Sequence, residues 1–349
     1  MDAPNTHEAP ARLVLARPDR LGDVVITSSC LASVKRNLPG VEVYLLAQAR
    51  MGPLFKEHPA LTGFLGLPLV PDAAQRMELL AAQLRQLGPQ CVIHLQPDAE
   101  VEWAAAAAGI ARRIGYRRHG EKWLTESLPY TKKKGEKHES VYNFELLELI
   151  GVPAPRQLTP QLTPDPEARE RLAGKLPKDL LAHRYAVLHV GAHENKPRVT
   201  PEYFVAAARW LVEAQQCYVV LIGADHDDAQ VREIVNALGR AGPWVFNFCG
   251  QTDVAEAAWL LKGAAVVFGR DSGPAHLAAA MGARTVTLML EPDQVNSARR
   301  WTPLGDRSWV LEKPLRRRVL ESRAAFARRN LRQFTPEEIV GAIRGAMEG

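Results

Sequence analysis
The sequence predicts an α/β protein of two parallel-sheet domains, and three observations lead there. Short β-rich runs alternate with helical patterns through the N-terminal half, and the same rhythm returns in the C-terminal half. That order asks for a parallel sheet covered on both faces, because each crossover lays a helix on the sheet. The 349 residues also exceed one typical core, at roughly 100–200 residues per domain. Finally, Pro153, Pro155, Pro160, Pro164 and Pro166 crowd residues 151–166. They argue against a continuous helix or central strand there and mark a linker. The expected domains are 1–158 and 159–349, the second closing in a helical tail.

In the first domain, residues 13–16 read as a strand, followed by a polar turn and a helix from about 23 to 38. Pro39 and Gly40 stop that helix, 41–47 is the next strand and 64–70 a third. A helix running to Leu87 ends at Gly88 and Pro89 and leads into a strand at 91–95; a helix over 138–150 closes the domain. In the second domain, strands are expected at 185–190, 218–222, 245–248, 265–268 and 284–290. Helices at 201–215, 227–238, 254–261 and from Pro274 alternate with them. Thr335, Pro336, Glu337 and Glu338 open the last helix with an N-cap, a first-position proline and first-turn acids. Two such sheets predict a cleft, with ligands at the carboxyl ends of the strands.

Hydrophobic residues at 46% and charged residues at 24% are an ordinary globular mixture. No run approaches the ~18 apolar residues of a membrane span, and residues 1–10 lack a signal-peptide pattern. A cytoplasmic protein is expected. Cys30, Cys91, Cys217 and Cys249 lie far apart in apolar segments, which reads as buried thiols rather than a zinc site. The net charge of +5 is uneven. One basic cluster runs from Arg112 through Arg117, Arg118 and Lys122 to Lys132, Lys133, Lys134 and Lys137. A second runs from Arg299 through Arg316 and Arg328 to Arg332. Such patches hold phosphates or anionic lipid, or are simply solvated faces. Aromatic residues do not interleave with them as base-stacking readers require, so nucleic acid is not an expected partner.

Four loops carry chemistry. Gly269-Arg-Asp-Ser-Gly-Pro-Ala-His276 follows a strand and opens an alanine-rich helix. Ser272 and Gly273 are natural N-cap residues, and a helix start with unpaired N–H groups suits a phosphate. Asp271 is unwelcome beside that phosphate and suits sugar or ribose hydroxyls, while His276, one turn in, points toward the same helix end. Arg20-Leu-Gly-Asp-Val-Val-Ile26 sits at the first strand-to-helix crossing, with Asp23 at the helix start; an ordinary cap would look alike. His189-Val-Gly-Ala-His-Glu-Asn-Lys-Pro-Arg198 offers Lys196 and Arg198 as a clamp for a diphosphate, or as solvated cations. Gly223-Ala-Asp-His-Asp-Asp228 offers carboxylates to ribose hydroxyls, or an acidic helix start. Asp227 and Asp228 are a weak metal hint. G-x-G-x-x-G, P-loop, HExxH and GxSxG patterns are all absent.

Taken in order, these stretches resemble glycosyltransferase family 9, the ADP-heptose:lipopolysaccharide heptosyltransferases. Arg17-x-x-Arg-Leu-Gly-Asp-Val-Val resembles the family's opening motif, and Arg113-Ile-Gly-Tyr116 an N-domain segment. His138 falls where the family has an acceptor-side histidine, Gly191 to Lys196 resembles its glycine-to-lysine loop, and Asp271-Ser-Gly-Pro-x-His276 its sugar-nucleotide motif. The resemblance implies a GT-B fold of two Rossmann-like domains facing a central cleft. The N-terminal domain would bind a lipid-linked or anionic glycan acceptor and the C-terminal domain the sugar nucleotide, ADP-heptose first. It implies an inverting transfer without metal or other cofactor, with Asp23 as catalytic base. Lys196, Arg198, Asp225, Asp271, Ser272, Gly273 and His276 would bind the donor, and Arg113, Arg117, Arg118 and His138 the acceptor. The acceptor implies peripheral contact with the cytoplasmic face of the inner membrane.

The chain also departs from the family pattern. Glu291 stands in a turn that usually carries glycine, Ala192, His193 and Glu194 replace loop hydroxyls, Lys196-Pro-Arg198 replaces a tryptophan-bearing triplet, and Ser28 and Ser29 stand where a proline is usual. Two alternatives accompany the enzyme reading: a catalytically silent GT-B binding module, and a transferase acting on protein.

Overall fold
The strand 12-RLVLA-16 (β1, Arg12–Ala16) is buried from its second residue on, and it takes the centre of a six-stranded sheet. Around it lie β2 (Glu42–Gln48), β3 (Gly63–Leu67), β4 (Cys91–His94), β5 (Arg112–Arg117) and β6 (Glu126–Pro129), in the order β3-β2-β1-β4-β5-β6. Every neighbouring pair is parallel. The computed structural model describes residues 9–118, 121–178, 180, 183–191, 198–290, 294–313 and 332–349. It divides into two units, Met1–Thr163 and Pro164–Gly349.

In the first unit, α1 (Leu21–Asn37) is buried along most of its length. It therefore carries no polar face, and the hydroxyls of Ser28 and Ser29 return to the carbonyls of Val25 and Ile26, each at 2.7 Å. Asp72 caps α2 (Ala73–Leu87), which ends on Gly88 at φ 62°, a left-handed stop that glycine takes without strain. Asp98 caps α3 (Ala99–Ala107), the alanine-rich stretch. The helix α4 (Glu139–Leu147) then packs against α1. Val14, Leu46, Leu84, Val92 and Val101 build the core between the sheet and α2 and α3.

The linker is shared unequally. Residues 159–163, expected in the second domain, are held by the first: Gln161 N–H donates to Ser28 Oγ at 3.0 Å and Thr163 N–H to the Leu54 carbonyl at 2.9 Å. Two residues later Asp165 caps α5 (Pro166–Lys175), with Pro166 as a helix-starting residue. Proline breaks the chain up to Thr163 and then starts a helix, because the first helical position needs no N–H.

The second unit repeats the plan. Its sheet joins β7 (Tyr185–His189), β8 (Tyr218–Ile222), β9 (Val245–Asn247), β10 (Val267–Arg270), β11 (Thr285–Met289) and β12 (Ser308–Glu312) in the order β12-β11-β10-β7-β8-β9, all parallel. Counted within the unit from its first strand, this is the same order as in the first unit. It is the doubly wound order that places ligands where the strand order reverses, beside β1 and β4 in one unit and β7 and β10 in the other. The sheet is dressed by α6 (Pro201–Glu213), α7 (Asp228–Leu238), α8 (Val254–Gly263), α9 (Gly273–Ala280), α10 (Ala298–Trp301) and α11 (Pro336–Glu348). Phe204 of α6 meets Phe268 of β10 edge-on at 5.7 Å, near the centre of a core that includes Leu188, Leu221, Val286 and Ile339. Two Rossmann-like units of this kind are the architecture expected from the sequence. The most arginine-dense part of the second basic cluster, 314–331, lies outside the described residues, as do Lys196 and Glu291.

Candidate active site
In the first unit the site grows from the residue that follows β1. Arg17 leaves the strand fully buried, its backbone N–H still bonded to the Leu46 carbonyl. Its guanidinium becomes the hub of a polar cluster where the strand order reverses. Nη2 donates to Asp23 Oδ1 at 2.5 Å and to Glu139 Oε1 at 3.0 Å. Nη1 donates to the Leu95 carbonyl at 3.2 Å and to Asn143 Oδ1 at 3.1 Å. Nε lies 2.8 Å from Asp19 Oδ1. Lys132, also fully buried, donates to the same Glu139 oxygen at 2.6 Å and to the Leu95 carbonyl at 2.8 Å. Burial works against the charge of Arg17, and Asp19, Asp23 and Glu139 more than offset it. Burial likewise draws the Lys132 ammonium down, against the pull of Glu139.

Asp23 is the third residue of α1, and its N-cap is Arg20. The carboxylate is turned to Arg17 and keeps 13% of its surface exposed. His138 caps α4: the Ser140 N–H donates to its Nδ1 at 3.2 Å. With Nδ1 accepting, the proton of a neutral ring sits on Nε2. The same cap places the next residue, Glu139, against Arg17 and Lys132. Arg117 and Arg118 are exposed at the carboxyl end of β5, and Arg118 lies 4.8 Å over the Tyr130 ring.

Two expected acceptor contacts are corrected here. Arg113 lies near the amino end of β5 and donates to the Trp123 and Ile110 carbonyls, so it ties a turn at the wrong end of the sheet for a ligand. Lys132, read as part of a surface cluster, is an internal counter-ion. Aromatics also do meet this basic cluster, in the pairs Arg118 with Tyr130 and Lys122 with Trp123.

In the second unit, the loops after β7, β8 and β10 meet. Ser272 is the N-cap residue of α9, yet its hydroxyl caps nothing. It lies 3.1 Å from His189 Nδ1 and 3.1 Å from the Arg270 carbonyl. The first amides of α9 are thus spared a side-chain cap, and Pro274 has no N–H to offer. Behind Ser272, the His189 ring is half-buried, and loss of solvent draws its pKa down to about 4, so it stays neutral. One turn into α9, His276 Nε2 lies 3.4 Å from Asp271 Oδ1, and the ring meets Trp301 edge-on.

Asp227 closes the other side. Its Oδ2 accepts the Ala224 N–H at 2.7 Å and its Oδ1 takes Arg198 Nη1 at 2.5 Å. Arg198 also donates to Gln230 at 3.0 Å. Arg198 Nη1 is thus a strut for Asp227, while the side chain, expected to fork a diphosphate, stays 41% exposed, and Asp227 is an internal acceptor. Gly191 and Gly223 make this possible: a Cβ on either would fall 2.9 Å or 2.6 Å from Asp227 Oδ2. Asp225, exposed at the turn after β8, lies against Gly250, where a side chain would collide with its carboxylate. The structure thus places Asp271, Ser272, Gly273 and His276 along one strand-to-helix turn and the start of α9, and Asp225 on the turn after β8. Sequence reasoning gave Arg17, Glu139 and His189 no role of their own and read Asp227 only as a weak metal hint. A charged or imidazole residue directly after or closing a buried strand at the reversal point was the available signal for Arg17 and His189.

The glycosyltransferase family 9 (heptosyltransferase) model matches residues 77–317. The lipooligosaccharide heptosyltransferase 2 of Haemophilus influenzae is 23% identical over 308 residues, which cover 86% of this chain and 88% of that one. The corresponding protein of Haemophilus ducreyi is 22% identical over 77% of this chain and 80% of its own length. Among solved structures, E. coli ADP-heptose lps heptosyltransferase II superposes with a TM-score of 0.77 at 20% identity, over 97% of this chain and 98% of that one. A glycosyl transferase family 9 structure from Veillonella parvula gives 0.80 at 16% identity, over 97% of each chain. These likenesses show the same GT-B fold.

Proposed function
This chain belongs to glycosyltransferase family 9, the heptosyltransferases, and from that premise we propose that it moves a heptose from ADP-heptose onto a lipopolysaccharide core or related glycan, with inversion and without a metal. It is a glycosyltransferase of lipopolysaccharide biosynthesis; donor, acceptor and stereochemistry are the proposal. The observation that carries it is Asp23, a partly exposed carboxylate at the start of α1, fixed by a buried arginine where the strand order reverses.

In this reading an acceptor hydroxyl oxygen attacks the anomeric carbon from the face opposite the diphosphate. The bond from that carbon to the phosphate oxygen breaks, and its electron pair leaves with the nucleoside diphosphate. The hydroxyl proton goes to Asp23, help worth about 10²–10⁴-fold in rate. Charge gathers on the departing diphosphate, and the start of α9, freed of its cap, offers amides and a positive dipole end to it. Lys196, expected to assist there, lies outside the described residues. Asp225 and Asp271 accept ribose and sugar hydroxyls, and His276 holds Asp271 in place. On the acceptor side, Arg117, Arg118 and His138 meet anionic groups, while Arg113 is spent on the Trp123 and Ile110 carbonyls. No described helix is long and apolar enough to cross a membrane, and a lipid-linked acceptor calls for peripheral contact instead.

The test is transfer and donor affinity measured together on Asp23→Ala. Transfer is expected to fall by about two to four powers of ten, with the dissociation constants for ADP and ADP-heptose unchanged. Loss of donor affinity alongside would make Asp23 structural. Thermal stabilisation by UDP- or GDP-sugars in place of ADP compounds would keep the transferase and replace its donor.

A further inference from the structure
The turn from β10 into α9 holds its own capping group away from the helix. A serine at an N-cap ordinarily turns its hydroxyl over the helix start and accepts an N–H two or three residues on. Ser272 has the extended backbone of an N-cap, φ −167° and ψ 167°, and makes no such bond. Its Oγ is held instead by two groups at strand ends, His189 Nδ1 and the Arg270 carbonyl, each at 3.1 Å. The Ala275 N–H, which a cap would take, donates to the Ser272 carbonyl at 3.1 Å. Among the described residues the N–H groups of Ser272 and Gly273 meet no acceptor. The place of the imidazole is itself enforced. His189 ends β7 in register with Gly269 of β10. A Cβ on Gly269 would fall 3.0 Å from the His189 Cβ, and one on Gly191 2.9 Å from its Nε2, so both glycines leave room for this ring. The first turn of α9 also carries a buried polar atom with nothing to bond. His276 is 4% exposed and sets Nε2 3.4 Å from Asp271 Oδ1, while its Nδ1 has no hydrogen-bond partner among the described residues.

We propose that His189 is a positioning residue for the donor: by engaging the Ser272 hydroxyl it withholds the cap of α9, so that the Ser272 and Gly273 amides stay open to the diphosphate. The inference rests on the donor diphosphate meeting the start of α9, as in the reading above. Two consecutive free amides at the positive end of a helix are what an anion binds, and they bind it only while no other acceptor covers them. Either neutral tautomer of His189 serves, because Nδ1–H donates to Oγ or a bare Nδ1 accepts its proton. With the ring removed, the hydroxyl returns to the ordinary capping position over the Ala275 N–H. Its oxygen then presents lone pairs where phosphate oxygens are to be held.

The experiment is a double-mutant cycle on ADP binding, read by isothermal titration at neutral pH. His189→Leu is expected to weaken binding about tenfold, the worth of one amide bond to a charged group. Ser272→Ala is the background that locates the effect. Added to it, His189→Leu is expected to change the dissociation constant by less than about twofold, since no hydroxyl is left to swing over the amides. His189→Asn, whose amide reaches the place of Nδ1, recovers most of the affinity, whereas His189→Gln, whose amide lies farther out, behaves as the Leu variant does. If the Leu variant fails to fold, His189→Gln takes its place in the cycle. Equal weakening in both backgrounds makes His189 a packing residue and overturns the inference, as does unchanged affinity in His189→Leu or an Asn variant no tighter than Leu. Where UDP or GDP binds in place of ADP, the same cycle is run with that nucleotide. A wild type that binds none of the three removes the donor reading and this inference together, whereas binding without coupling between the two positions removes this inference alone.

Discussion
Glu139 decides how costly the cluster around Asp23 is to hold. Two cations, Arg17 and Lys132, lie fully buried within reach of one of its oxygens, and burying a charge costs several kcal/mol unless a partner returns it. Removing one member of such a group is far worse than replacing the whole by apolar side chains, because the remaining charges stay behind. Glu139→Ala leaves Lys132 with the Leu95 carbonyl but without this carboxylate. The expected loss is about 3 kcal/mol of unfolding free energy, read from urea denaturation at pH 7, with Glu139→Gln losing less. None of this was legible in the sequence. Lys132 read as one of three consecutive lysines in a basic cluster, and Glu139 was given no role. The partners are 115 or more residues from Arg17 along the chain, and no local pattern links them. The Arg198 ion pair was hidden for the same reason, since its acid, Asp227, is reached only through the pairing of β7 with β8.

At the scale of elements the sequence speaks more clearly, because periodicity and punctuation are local. The runs that became β1, β7, β8 and β11, and the helices closed by Gly88 or opened by Thr335 and Pro336, were read nearly to their ends. The edge strands β6 and β12 were missed: their residues are half-buried, mixed in polarity and short, so neither alternation nor a continuous apolar run announces them. The loops after β7 and β8 depend on two glycines whose reason appears only in three dimensions. A Cβ on Gly223 would lie 2.6 Å from Asp227 Oδ2 and 3.1 Å from Cys249 Sγ. Asp227 is fixed by Arg198 and the Ala224 N–H, so the strand end must shift. Gly223→Ala is expected to cost about 1–3 kcal/mol in stability and to weaken ADP binding about tenfold by moving Asp225. Thr335→Ala is the control. It breaks the capping box of α11 and costs about 1 kcal/mol, with ADP binding unchanged in isothermal titration.

Over the whole molecule, one topology is used twice, and each copy closes a strand beside its reversal point with a neutral histidine, fully buried at His94 and half-buried at His189. His94 ends β4 and His189 ends β7. Burial draws His94 down to about 3, helped by the charge of Arg113, and His189 down to about 4. In the unfolded chain both titrate near 6.5. Below that pH the unfolded state binds protons that the folded state refuses, so the stability these rings allow is complete above 6.5 and drains as pH falls toward 3 and 4. The drain is about 1.4 kcal/mol per pH unit for each ring. His94 gives the cleaner test, since the ring is wholly buried and neither nitrogen has a hydrogen-bond partner among the described residues. His94→Leu removes the titration while keeping a side chain of similar size at this fully buried position. Compared by urea denaturation at pH 7 and pH 5, the wild type is expected to lose about 2 kcal/mol more than the variant. Equal losses would mean that the ring takes up its proton in the folded state, through a partner the apolar surroundings of β4 do not supply. The larger loss in the wild type makes the end of β4, at the carboxyl edge of its sheet, a place where this fold is exposed to acid.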